Sequence, residues 1–501
     1  MTQHQPTERR ELLRRELERR KAAAGGRTEI RRRPAGSAPI LSLAQERLWV
    51  LDQMFPGRST YNATMTMRLE GQLHVDALRA ALTHVVARHE ALRTVIRRDA
   101  EGRPQAQLLA PTIGCPWDQS DLRAEPGSVD ARLAAAALEP FDLAHDVLLR
   151  AHLCRVSDTV HVLMLVTHHI ATDGWSRTPL FEELTEFYNA AVEDREAKVA
   201  DLPVQYSDYA AWQRALVGSD HFDRVVDFWR DEIAGADLLL ELPVDRPRPV
   251  ERQFTGRRLA FDDPRLGEDM RALGRQASAT PFMTYLALTA TMLHALTGQT
   301  DFLLGSPSAN RERPETAPLI GFFVDTIILR VRLDGDPTFT EVIGRARTAV
   351  LRSLGNPVPL DKLVEALRPR RVPGVNPLFQ VNYRMQGAAP PTPALSGLTS
   401  TRMFTDTGTS RFDLAFGFVD TPGPLRAYFE YDGALFDETT VQAWADTLLI
   451  LTAAVVGEPT RRLSELTALA GDELRRRRPA PAVAAAPARR AIRRIRPTRT
   501  P

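Results

Sequence analysis

Cysteine is scarce in this chain: Cys115 and Cys154 are the only two among 501 residues. Two thiols without metal-ligand spacing build neither a disulfide framework nor a cysteine metal site, and they read as reduced cysteines of a cytoplasmic protein. Long apolar runs are also missing. Stretches such as Val162–Val166 and Ala453–Val456 fall far short of the ~20 residues a membrane-spanning helix needs. The N-terminus opens Met-Thr-Gln-His-Gln-Pro and then turns highly charged, so no apolar signal core follows. Familiar catalytic signatures are absent too: no GxSxG elbow, GxxxxGK[ST] loop, GxGxxG, HExxH or CxxC occurs.

What is present is ordinary globular composition, 43% hydrophobic and 26% charged. The length suits about two domains at the usual ~100–200 residues each. A net charge of +2 hides an asymmetry, because residues 1–33 carry +6 and residues 475–501 carry +10, leaving the body at −14. Basic ends can meet nucleic acid or acidic partners. The Pro/Ala/Arg composition of Pro479–Pro501 cannot bury a core, so a solvated, disordered tail is the plainer reading. Thr7–Ala24 is helix-compatible and rich in Glu and Arg, either a docking helix or a solvated one. Gly25-Gly26 and Arg31–Gly36 read as a linker, and the folded body begins near Pro39.

Apolar spacing predicts a helix over Val75–Leu92, a buried strand over His161–Thr167 and a helix over Thr178–Val192. Further on it predicts helices over Pro264–Ala277, Phe282–Thr297, Phe339–Leu354 and Thr439–Val456. Strands are expected at Phe302–Gly305, Ile327–Val331, Leu378–Met385 and Ala427–Tyr431. Helices and strands mix without regular βαβ alternation, which favours an α+β architecture.

The outstanding chemical constellation is His168-His169-Ile170-Ala171-Thr172-Asp173-Gly174, on a loop between a strand end and a helix start. A histidine near its ordinary pKa of ~6.5 accepts a proton from an amine or hydroxyl at neutral pH. Asp173 could orient the loop or pair with an arginine. Gly174 would permit a sharp turn, close approach of substrate and an N–H for a developing oxyanion. The same residues also fit a merely capped turn, or a metal site, although no third ligand cluster lies nearby in sequence.

The loop reads HHIATDGWS and resembles the HHxxxDG motif of the condensation domains of nonribosomal peptide synthetases. Five more segments, in order, resemble that family. They are Ser42–Trp49 (SxAQxRLW), Arg88–Thr94 (RHExLRT), Tyr206–Trp212 (YxDYAxW), Ile320–Thr326 (IGxFVNT) and Asn376–Val381 (NPLFQV). Asp325 replaces the usual Asn, and Gly355–Asp361 matches the family's HQDxPFE poorly. No adenylation, carrier or thioesterase region is legible in the sequence, so it reads as a free-standing enzyme.

The resemblance implies two chloramphenicol acetyltransferase-like subdomains in a V-shaped pseudo-dimer with the active site between them. They are expected at 39–215 and 222–465, flanked by a charged helix and linker at 1–38 and the basic tail at 475–501. It implies His169 as general base or as the group that positions the attacking amine, with His168 a structural neighbour. Asp173 would lock the loop through a salt bridge, with Arg88 and Arg93 as its partners, and Gly174 would sit against substrate. Gln45, Trp212 and Asn376 would be scaffold. The implied reaction joins a carrier-protein-bound acyl thioester to an amine or hydroxyl, making an amide or ester. No cofactor is bound by the chain itself, and a partner carrier protein supplies the phosphopantetheine arm. A cytoplasmic monomer without membrane or nucleic-acid partners follows. The rivals are an acyl-CoA-dependent acyltransferase, which shares only HxxxD, and a non-catalytic module that recruits carrier proteins, which tends to lose the second His or the Gly.

Overall fold

A computed structural model describes residues 29–477, apart from 35, 218, 250–253, 371, 373, 388–391, 404–407 and 422. The expected Thr7–Ala24 helix lies outside the described residues, and so does the expected tail at 475–501 except for its first three residues, which end the helix Leu463–Arg477 instead of being disordered.

Two sheets carry the fold. The first is assembled from β1 (Asn62–Gly71), β4 (Trp117–Asp121), β5 (Leu149–Arg155), β6 (Val160–His168) and β11 (Leu398–Met403), in the order β11-β1-β6-β5-β4. A hairpin of β2 (Thr94–Arg98) and β3 (Pro104–Leu108) stands beside it. The second sheet has β7 (Gly256–Asp263), β8 (Asp301–Ser308), β9 (Asp325–Arg332), β10 (Val381–Gln386), β12 (Leu414–Val419) and β13 (Leu425–Asp432), ordered β7-β13-β12-β10-β8-β9. β6 is a near-continuous apolar run because it lies inside its sheet with both faces covered. It is antiparallel to both neighbours, with Asn62 opposite His168 on β1 and Leu149 opposite Thr167 on β5.

Helix ends follow local capping chemistry. The Ser42 hydroxyl accepts from the Gln45 N–H, and the Gln45 side chain answers to the Ser42 N–H, starting the helix Leu43–Met54. Thr338 and Glu341 form the same reciprocal cap before the helix Phe339–Gly355. Thr280 and Pro281 open the buried helix Pro281–Thr297, and Gly298, at φ 72°, ends it.

Two predicted elements are cut short by side-chain hydrogen bonds. The helix from Val75 stops at Arg88, and Glu90–Arg93 forms a 3₁₀ turn. His89 breaks the run because its buried ring is drawn to Glu183 (2.9 Å) and to the Ile320 N–H (3.3 Å). The strand expected from Leu378 begins at Val381, because the Asn376 carboxamide takes the Leu378 and Phe379 N–H groups out of any ladder. The helix Glu438–Gly457 alone, among the described residues, is long and apolar enough to cross a membrane, although no uninterrupted apolar run reaches that length. Here its Val441, Trp444, Leu448 and Leu451 fill the core of the second sheet.

The expected split at 39–215 and 222–465 does not contain the first sheet. β11 lies far along the chain yet pairs with β1, with Thr66 opposite Met403. Leu319, Ile320, Phe322 and Phe323 also pack into the first core. The second half therefore reaches into the first twice. Gly71 makes one crossing possible: at φ 130°, a Cβ there would lie 2.2 Å from the Gly397 carbonyl oxygen. Gly71→Ala is expected to cost about 1–3 kcal/mol, as overpacking does, and to speed amide exchange across 398–403 before the rest of the sheet. Thermal melts and hydrogen-exchange mass spectrometry read both effects.

Candidate active site

The end of β6 delivers His169 to a cleft of about 1910 Å³ lined by both halves, with His168 buried behind it. That is roomier than the ~300–1,000 Å³ of ordinary small-ligand pockets. The two rings have different environments. His168 is buried, and its Nδ1 accepts the Ile170 N–H at 3.1 Å. Burial, with Arg411 and Arg150 nearby, pushes it down to about 3, so it stays neutral. His169 lines the cleft, with its ring edge-on to Phe322 at 5.9 Å. Its main-chain N–H donates to the Tyr61 carbonyl at 2.8 Å. Its Nδ1 lies 3.1 Å from the Thr172 carbonyl oxygen, which can only accept. The Nδ1–H tautomer follows, leaving the Nε2 lone pair available. Desolvation, then Arg411 and His168, hold its pKa well below the usual histidine range.

Asp173 is locked, but not by the expected partners. Its Oδ1 accepts from the Ser176 N–H (2.8 Å) and from Arg311 Nη2 (3.1 Å), and its Oδ2 accepts from the Phe323 N–H (3.1 Å). The ion pair is enclosed, with side chains 1% and 8% exposed. Arg311 also donates to the Thr316 and Leu319 carbonyls and stacks on Phe323 at 4.1 Å. Arg88 instead pairs with Glu183 at 2.9 Å, and Arg93 donates to the Ala87 and Leu109 carbonyls. Both arginines brace the first half's own elements. The loop's partner comes from the segment that crosses over from the second half.

Gly174 is exposed on the cleft wall, where an added Cβ would meet nothing within 4 Å. Its φ lies outside the left-handed region, so the turn itself does not demand glycine. Its contribution is open space. Gln45 holds the loop from behind, donating to the Ile170 carbonyl at 3.0 Å. Trp212 packs against the first core under the Arg313 guanidinium, at 4.5 Å. Asn376 lines the cleft and fixes its own turn. The sequence reading missed Ser176, Tyr206, His89 and Gly321. Tyr206 OH donates to the Phe322 carbonyl at 2.6 Å, and a Cβ on Gly321 would strike the Tyr206 ring at 2.1 Å. All four lie inside the motif segments quoted above, which is the signal that could have found them. No three His, Cys, Asp or Glu side chains gather as metal ligands among the described residues.

The condensation-domain sequence pattern matches residues 37–475. The chain belongs to the condensation-domain family. It is 38% identical over 466 residues to the phosphinothricin tripeptide synthetase PhsC of Streptomyces viridochromogenes, covering 91% of this chain and 42% of that protein. It is 37% identical over 458 residues to the isonitrile lipopeptide synthase of Mycobacterium tuberculosis, covering 88% of this chain and 18% of that protein. The chain thus spans less than half the length of these relatives. Among solved structures, the X-domain from teicoplanin biosynthesis superposes with a TM-score of 0.81 at 28% identity, over 87% of this chain and 99% of the X-domain. The fold is the two-subdomain, chloramphenicol acetyltransferase-like pseudo-dimer of condensation domains.

Asp325, which replaces the family's Asn, accepts the Thr326 N–H at 2.7 Å. Burial pushes its carboxyl up to about 6, Arg47 opposes this and Asp361 adds to it. A folded-state value above the ordinary one penalises the native state once the pH rises through it. Asp325→Asn should therefore stabilise the protein at pH 8 by on the order of 1 kcal/mol, with the gain shrinking by pH 5. For the lock, Arg311→Met should cost about 3–5 kcal/mol, the usual penalty for orphaning a buried charge, whereas Arg93→Ala should cost far less. Denaturant titrations of the three variants at both pH values check the pair of predictions.

Proposed function

We propose that this chain catalyses condensation, joining a carrier-bound acyl thioester to an amine or hydroxyl acceptor to form an amide or ester. The observation that carries the reading is His169. Its Nδ1–H is held by the Thr172 carbonyl, and it is a neutral base on the wall of a cleft between the two halves. A thioester is already activated, so holding an acceptor nitrogen or oxygen against it supplies much of the rate. His169 Nε2 takes the proton that the attacking atom must lose, or holds that atom by its hydrogen in line with the carbonyl carbon. The thiol leaves on the carrier's arm. The phosphopantetheine arm belongs to that partner, and a cleft of about 1910 Å³ has room for an arm and an acceptor together. Gly174 leaves room at the carbonyl. His168, with its Nδ1 occupied by the Ile170 N–H, orients the strand end rather than reacting.

The likeness to the X-domain, which another solved structure shows in complex with OxyB, favours a second reading as a recruitment module. A module of that kind needs no available Nε2 on a cleft wall and no unfilled space at Gly174, so catalysis is the better-supported reading.

His169→Ala should lower kcat by about 10²–10⁴-fold, the usual contribution of a general base, with an unchanged melting temperature. Product mass spectrometry from a carrier-loaded acyl thioester and an amine or alcohol acceptor measures it; undiminished turnover would overturn the assignment. Because His169 protonates only well below its ordinary 6.5, the wild-type rate should show no acid limb near that pH. A limb centred there would contradict the desolvated ring.

A further inference from the structure

Among the described residues, three cleft arginines have no anionic partner. Arg177, Arg402 and Arg411 line the cavity, yet none makes an ion pair or hydrogen bond among the described residues. Their neighbours are satisfied: Arg47 lies 3.4 Å from Asp361, and Arg384 lies 3.3 Å from Glu430. Glu430, the carboxylate that Arg411 feels most, is thereby engaged. Arg411 is instead stacked over the Tyr61 ring at 5.1 Å. The same Tyr61 holds the His169 N–H through its carbonyl and places its ring 6.2 Å from that of His168. Arg177 opens the helix that follows the Asp173 lock, and Arg402 sits on β11, the exchanged strand. Elements from both halves thus bring unopposed guanidinium groups to the reacting end of the cleft.

This is unexpected in a body that carries −14 outside its basic ends. An unpaired guanidinium taken out of water is costly unless something anionic completes it. Burial lowers both Arg411 and Arg177 from their ordinary values, which is the mark of that cost. Guanidinium groups suit planar oxyanions, binding them through paired N–H donors.

We infer that Arg411 and Arg177, with Arg402 at the rim, form a subsite for a carboxylate or similar oxyanion carried by one of the two reacting molecules, close to the bond being formed. The inference deepens the condensation reading by naming the charge of a substrate. The phosphate of a carrier's arm does not fit this position. That phosphate lies at the far end of the arm from the thioester, whereas Arg411 and Arg177 both act on His169.

Two arms test it. In the first, which needs no turnover, calorimetry compares glutarate with glutaramide, and 4′-phosphopantetheine with pantetheine, on the full chain. Glutarate should bind at least tenfold more tightly than glutaramide, and the Arg177→Gln/Arg411→Gln double variant should lose that preference. Equal or undetectable binding of both, a preference that persists in the double variant, or an anion preference confined to phosphopantetheine would overturn the subsite. If the double variant fails to fold, the wild-type comparison still decides. In the second arm, acidic and amide forms of acyl N-acetylcysteamine donors are crossed with amino acids and their amides. A KM advantage for the acidic donor or for the acidic acceptor supports the subsite and names its source; no advantage for either overturns it. Binding without turnover would sink the condensation reading and leave the subsite standing.

Discussion

One enclosed carboxylate holds this structure's working part together. Asp173 takes an N–H from its own loop, an N–H from the crossing segment and a guanidinium from that same segment. The loop that carries His169 is therefore not positioned by its own half of the chain. It is positioned by a strap from the other half, and that strap is itself seated in the first core by Leu319, Ile320, Phe322 and Phe323. An ion pair so deeply enclosed contributes little net stability against an apolar substitute. What it contributes is position, because a charge without its partner there is intolerable and only one arrangement satisfies all the donors.

The same economy of water sets the electrostatics. Both histidines are neutral because the cleft wall withholds solvent and because Arg411 adds a positive field. A neutral His169 is ready to accept a proton at any ordinary pH, although burial makes it a weaker base than a histidine in water. This combination suits a reaction whose electrophile is already activated, since holding the acceptor then matters more than basicity. It also means that an anion seated among the arginines would strengthen the base beside it, so that occupancy by substrate and readiness of His169 are tied together.

The chain's readable and unreadable parts divide along a physical line. Strand β6 and the helices Arg177–Val192, Phe339–Gly355 and Glu438–Gly457 were legible because each is fixed by its own apolar run or period. The HHIATDGWS loop was legible as a motif, and Gln45 stands where its segment places it, behind the loop. Arg311 was not legible. It lies 138 residues from Asp173, and nothing local separates it from Arg313 two positions on, which stacks on Trp212 instead. Arg88 and Arg93 were attractive partners only because they share a motif with one another. The same blindness hid β11, whose Leu398–Met403 segment has modest apolar content and becomes a strand through pairing with β1.

Strand exchange and ion pair act on one seam. β11 extends the first sheet from the second half, and the strap at Leu319–Phe323 returns to the first half beside His89 and Tyr206. A pseudo-dimer joined by a flexible linker would leave its cleft free to open and shut. Here two crossings, one of hydrogen-bonded backbone and one of buried side chains, fix the cleft wall at the place where His169 stands. On the condensation proposed above, the seam is stiff where the bond would form, which is what a catalyst working by alignment needs.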